Sequence, residues 1–161
     1  MTKKLAKLAG VGIAFLIFLE ILIYGGTINP QPQVVVPQIS FMVLVNQDRA
    51  DAGLPPLTEN ELLVKSATAK ACDMLKNGYF DHYSPNGLSP WHFIREAGYK
   101  YSTAGENIAK DIQLNTDTER RFMESPKHRD NILNPQYTEI GVGKCGEYTV
   151  QHFGRPYEND L

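Results

Sequence analysis

The stretch "EIGVGKCGEYTVQHFG", residues 139–154, carries small or apolar side chains at alternate positions on both sides of Gly146. Its β-branched and aromatic residues at period two predict two strands joined by a tight turn. Upstream the period changes. "ISFMVLVNQDRADAG" (39–53) reads as a helix stopped by Gly53, and "LPPL" (54–57) turns the chain. Thr58 with Glu61 three residues on predicts a capping box that opens "ENELLVKSATAKACDMLKNG" (59–78), with Gly78 as the stop. Ser89-Pro90 begins a short helix, "PWHFIREAG" (90–98), with serine as cap and proline at the first position. Thr116 with Glu119 predicts a second capping box for "DTERRFME" (117–124), and Ser125-Pro126 starts "PKHRDNILN" (126–134), ended by Pro135. Helices first and strands last make an α+β domain built in layers.

A chain of 161 residues with 42% hydrophobic, 10% aromatic and 21% charged residues suits one globular domain with its own core, at 38–156. The net charge is −2; Lys3, Lys4, Lys7 and Glu20 give the N-terminal segment +2, leaving −4 on the remainder. An acidic body argues against a nucleic-acid partner. In residues 1–26 the three lysines precede an apolar run broken only by Glu20, the pattern of a signal peptide or a signal anchor. The run lacks a clean small-x-small cleavage site, which favours an uncleaved membrane helix with the rest of the chain outside the cytoplasm. "TINPQPQVVVP" (27–37) reads as an extended proline-rich linker, and 157–161 as a tail.

An extracytoplasmic address permits disulfides, so Cys72 and Cys145 are expected to pair across the helical and strand layers rather than stay as two small buried hydrophobes. Their separation of 73 positions excludes a local metal or redox motif.

Three segments look chemical rather than structural. "GYFDHYSPNG" (78–87) places His82 at a helix exit just before a turn. "AGENIA" (104–109) sets Glu106 in surroundings too polar for a core strand and too abrupt for a helix start. "MESPKHRDNIL" (123–133) puts Glu124 and His128 on either side of a helix cap, with His128 in the first turn, where the dipole disfavours imidazolium. His82, Glu106, Glu124 and His128 could form a zinc site with an open water position, or a general acid–base pair. His92, beside Trp91 and Phe93, and His152, on the face of Tyr148 and Val150, read as structural. A phosphate loop, a G-x-S-x-G elbow and an H-E-x-x-H helix are all missing from the sequence.

"LPPL", "GYFDHYSPNG", "GENIA", "SPKHRDNIL", "EIGVG" and "VQHFG", in this order from about Ile39 to Gly154, resemble the CAP superfamily, and most closely its bacterial SCP-like branch. The resemblance implies a three-layer α-β-α sandwich around a mostly antiparallel sheet, and export. It also implies a cleft of two histidines and two acids that in some members binds zinc or another divalent metal. Matched motif by motif, His82, Glu106 and His128 fall on three of these positions. The fourth departs from the pattern, since Phe122 replaces a tryptophan, and leaves Glu124, Glu119 or no residue for the second acid. Asn107 and Arg129 are expected to brace loops, an arginine there serving several carbonyls. Three functions follow in order: a cleft that binds a metal or small polar ligand without catalysis; a zinc hydrolase acting on peptide or envelope polymers, with Glu106 as general base; and a lipid-binding or adhesion module.

Overall fold

A computed structural model describes residues 38–157; the expected anchor, the linker and nearly all of the tail lie outside them. The elements run α1 (Phe41–Asp51), β1 (Thr58–Glu59), α2 (Glu61–Asn77), α3 (Pro90–Glu96), β2 (Tyr101–Lys110), α4 (Asn115–Glu124), α5 (Pro126–Ile132), β3 (Glu139–Cys145) and β4 (Tyr148–Pro156). The expected 139–154 hairpin is the centre of a four-stranded sheet of order β1-β3-β4-β2. Cys145 pairs with Tyr148 across the turn at Gly146, which sits at φ 56°. Only β1 runs parallel to its neighbour, so the sheet is mixed but mostly antiparallel.

Alternation along β4 sorts the core into two layers. Tyr148 and Val150 pack with Ala67, Ala71 and Met74 of α2. Phe153 packs on the other face with Val45 of α1, Phe122 of α4 and Ile132 of α5. Helices therefore cover both faces. The closeness of α2 to the sheet depends on the glycines of "EIGVG". A Cβ built at Gly141 would lie 2.1 Å from the backbone of Leu63 and Val64, and one at Gly143 2.1 Å from the nitrogen of Thr68. The Cys72–Cys145 disulfide joins α2 to the end of β3. Closing a loop of 73 residues removes about 4 kcal/mol of chain entropy from the unfolded state.

Three local expectations give way to tertiary pairing. Thr58 and Glu59 are spent on β1, bonded beside Glu139 and Ile140, so the cap of α2 is Asn60, whose side chain accepts from Leu62 and Leu63. At α4 the helix opens one residue before Thr116, capped by Leu114 without a side-chain bond, and Glu119 turns into the core. "AGENIA" is the buried middle of β2, not an irregular segment. Its polar residues are accommodated in a strand because each finds partners, as the site shows.

Candidate functional site

Strand β2 is the outer strand of the sheet, and its two polar residues point to opposite faces. Glu106, opposite His152 in the register, lies on the α2 side; Asn107, opposite Gln151, lies on the α4–α5 side. Glu106 is 5% exposed. Its Oε2 accepts from His152 Nε2 at 2.9 Å, and its Oε1 accepts from His82 Nδ1 at 2.6 Å. Burial alone would raise the pKa of this carboxyl, but the two imidazole bonds outweigh it and hold it below its ordinary value. The same bond from the other side raises the pKa of His82.

His82 rests on a loop, yet the loop is stapled. Lys70 of α2 is fully buried and donates to the carbonyls of Asp81 and His82, both at 2.9 Å, and to Tyr79 Oη at 3.1 Å. Tyr79 in turn donates to Asp73 Oδ2. Burial lowers the Lys70 pKa, partly offset by the negative field of Glu106 and two aspartates. With Nδ1 committed to Glu106, the His82 ring presents Nε2 outward, on a side chain that is 47% exposed.

His128 stands on α5, on the other face of the sheet. Its ring packs on Phe122 at 5.0 Å, and its pKa is lowered first by burial and then by the charge of His82. The start of α5 is held to β2 by Asn107, which donates to the His128 carbonyl, and by Asn131, which donates to the Glu106 carbonyl. Asn107 thus braces the site as expected. The arginine that gathers carbonyls is a different one: Arg49 of α1, fully buried, donates to Pro55, Ile132, Asn134 and Tyr137, whereas Arg129 is exposed and meets only the Met123 carbonyl, at 3.4 Å.

Of the four residues read as candidates, the fold joins His82 to Glu106 and ties the His128 backbone to the neighbouring Asn107. Glu124 is engaged elsewhere, with a side chain 62% exposed and paired to Arg120 Nη1 at 2.7 Å one helical turn back. Glu119 is buried, accepts from Gln151 Nε2 at 2.7 Å, and carries a pKa pushed up to about 8, chiefly by burial. It is tied through Gln151 and Asn107 to the backbone of His128, not to a histidine ring. The residues missed from sequence are His152, Lys70 and Ser66, whose Oγ lies 2.7 Å from His152 Nδ1. His92 is packing, edge-on to Phe93.

For a divalent metal the donor set is small. Both oxygens of Glu106 already serve imidazoles, and among the described residues no group of three or more His, Cys, Asp or Glu is arranged to hold an ion. The set offers His82 as an imidazole oriented from behind by Glu106. It does not fit a closed structural zinc site, which needs four protein ligands.

Residues 42–153 match the family described as "CAP: Cysteine-rich secretory protein family". Over 112 residues, 68% of the chain, it is 46% identical to the uncharacterized protein YkwD of Bacillus subtilis, and over 110 residues 32% identical to the uncharacterized membrane protein YlbC of that organism. These matches span 44% and 32% of the relatives' own lengths. Among solved structures, an extracellular protein containing a SCP domain from Bacillus anthracis superposes with a TM-score of 0.69 at 30% identity, over 71% of this chain and 39% of that one. An outer surface protein of Borrelia burgdorferi shares the fold, with a TM-score of 0.65 at 20% identity over 71% and 89%.

Proposed function

The chain belongs to the CAP family, and from that premise we propose that it is an extracytoplasmic, membrane-tethered binding module. Its cleft, formed by His82 and His128 with Glu106 as positioning carboxylate, seats a divalent metal ion or a small polar ligand, and no catalytic step is required. The observation that carries this reading is the commitment of both Glu106 oxygens to imidazoles inside the protein. A general base needs a free oxygen facing a water or substrate proton, whereas a carboxylate bonded behind a histidine sets the ring's direction and raises the basicity of its outer nitrogen.

One ring, that of His82, is half exposed, and the other, that of His128, is held toward the neutral form that binds metal. Export is supported by the lysine-led apolar N-terminus, by a disulfide of the sort that persists outside the cytoplasm, and by relatives described as an extracellular and as a membrane protein.

The test is calorimetric titration of the full-length protein with Zn²⁺ and Ni²⁺. One-to-one binding should weaken at least about tenfold in His82→Ala and in His128→Ala, and stay unchanged in Glu124→Gln. Binding that survives both histidine substitutions, or none at all in the folded wild type, rules out the metal seat. Turnover of a peptide or envelope polymer that His128→Ala abolishes would replace the binding role with a catalytic one.

A further inference from the structure

Five residues along β2 from Glu106, about 17 Å at strand spacing, the sheet ends in aromatic side chains. Two hollows meet there and share Gly98, Tyr99 and Lys100. One, of about 470 Å³, is walled by Tyr99, Tyr101 and Tyr157 and flanked by Arg95 and Lys100; the other, of about 210 Å³, runs on past Glu139 to Asn60. The rings are ordered. Tyr99 and Tyr101 lie nearly parallel, 14° between planes and 6.5 Å between centroids, and Trp91 backs Tyr101 at 6.4 Å. Tyr99 is buried and fixed by donating to Glu139 Oε2 at 2.6 Å, while Tyr157 stands 54% exposed at the rim. The Arg95 guanidinium hangs over this wall, 3.4 Å from Tyr101 Oη.

We propose that this trough is a carbohydrate subsite, separate from the histidine cleft, that takes a glycan bearing a carboxylate. Three features select that class. Tyr157, exposed at the rim, offers an aromatic face whose partial negative charge matches the C–H face of a pyranose ring. Arg95 stands at one end, where a guanidinium receives a carboxylate. The Glu139 carboxylate at the other end offers acceptors to sugar hydroxyls. The larger hollow falls within the size range of small-molecule sites. A single-stranded nucleic acid would also stack on aromatics, but it carries a phosphate at every step and would run from the cationic end onto Glu139, on a domain whose own balance is acidic.

The probes are tetragalacturonate, uncharged chitotetraose and an oligo-dT of similar length, each titrated into the full-length protein by calorimetry. Tetragalacturonate should saturate. Tyr157→Ala should weaken it about tenfold through loss of one stacking face. Arg95→Gln should weaken it about fivefold and reduce its salt dependence. Both side chains are exposed, so the fold should survive each change, and His82→Ala should leave binding unaltered. The proposal is overturned if tetragalacturonate fails to saturate, if chitotetraose binds as tightly, if oligo-dT binds more tightly, if neither trough substitution matters, or if His82→Ala abolishes binding.

Discussion

Replacing Glu119 by glutamine should stabilise the protein at neutral pH and leave it unchanged in acid. Glu119 is 3% exposed; its Oε2 accepts from Gln151, and its Oε1 is the buried side-chain atom without a partner among the described residues. Burial, helped by the charge of Asp48 and opposed by the Gln151 bond, raises its pKa from 4.5 to about 8. The folded protein therefore keeps this carboxyl protonated through neutrality while the unfolded chain ionises it. In that interval the unfolded state holds one proton fewer, so stability falls with rising pH by about 1.4 kcal/mol per unit. The loss starts near pH 4.5, reaches about 3 kcal/mol at pH 7 and levels off near pH 8 at about 5 kcal/mol, upper values for a group that relaxes on ionising. Glutamine keeps the shape and the acceptor for Gln151 but cannot ionise. Urea unfolding of both proteins from pH 4 to pH 9 should give curves that coincide at pH 4 and diverge by up to about 3 kcal/mol at pH 7. A constant offset at all pH values, or a glutamine variant less stable at pH 7, would show that Glu119 is ionised in the fold and refute the reasoning.

Two further perturbations probe how the site is held. Gly141→Ala would drive a methyl to 2.1 Å from the α2 backbone, so the helix must lift off the sheet; a loss of at least about 3 kcal/mol is expected, and a thermal midpoint within a few degrees of wild type would count against it. Lys70→Met leaves two carbonyls and Tyr79 Oη of the 79–82 loop without their donor. It should cost about 2 kcal/mol and speed amide exchange across that loop while α4 and α5 keep their protection, and unchanged exchange there would mean that the loop is held by other contacts.

Much of this fold is legible from side-chain period. The 139–154 hairpin, the long second helix with its Gly78 stop, and the Ser-Pro starts of the two short helices all follow from local chemistry that tertiary packing reinforces. The failures share a cause. Thr58 and Thr116 have the right neighbours for capping boxes, but the backbone at Thr58 is taken by a strand partner 81 positions away, and Glu119 is drawn into the core by Gln151. β2 was unreadable because its inward residues include Glu and Asn, and polarity that is satisfied by residues distant in sequence looks locally like a loop. Lys70 did leave a signal: it falls on the buried stripe of Leu63, Ala67, Ala71 and Met74. A lysine on such a stripe must find acceptors, and the adjoining loop carbonyls are within its reach.

The histidine cleft and the fold are one network seen from two sides. A carboxylate at 5% exposure is tolerated because His82 and His152 bond both its oxygens and the buried Lys70 adds a favourable field. Removing one partner of such a group leaves a charge uncompensated, which costs far more than the pair contributes. His152, His82 and Glu106 therefore all belong to stability, and a loss of binding on removal of any of them must be read beside a measurement of folding. His128 stands apart from them, its ring resting on Phe122 in the first turn of a short helix. The direction of His82 is set by a strand residue rather than by its own loop, so in the proposed binding role little entropy is lost in ordering the ring. Of the two outer histidines, His128 is the one whose substitution tests the proposed role with least disturbance of the buried acid.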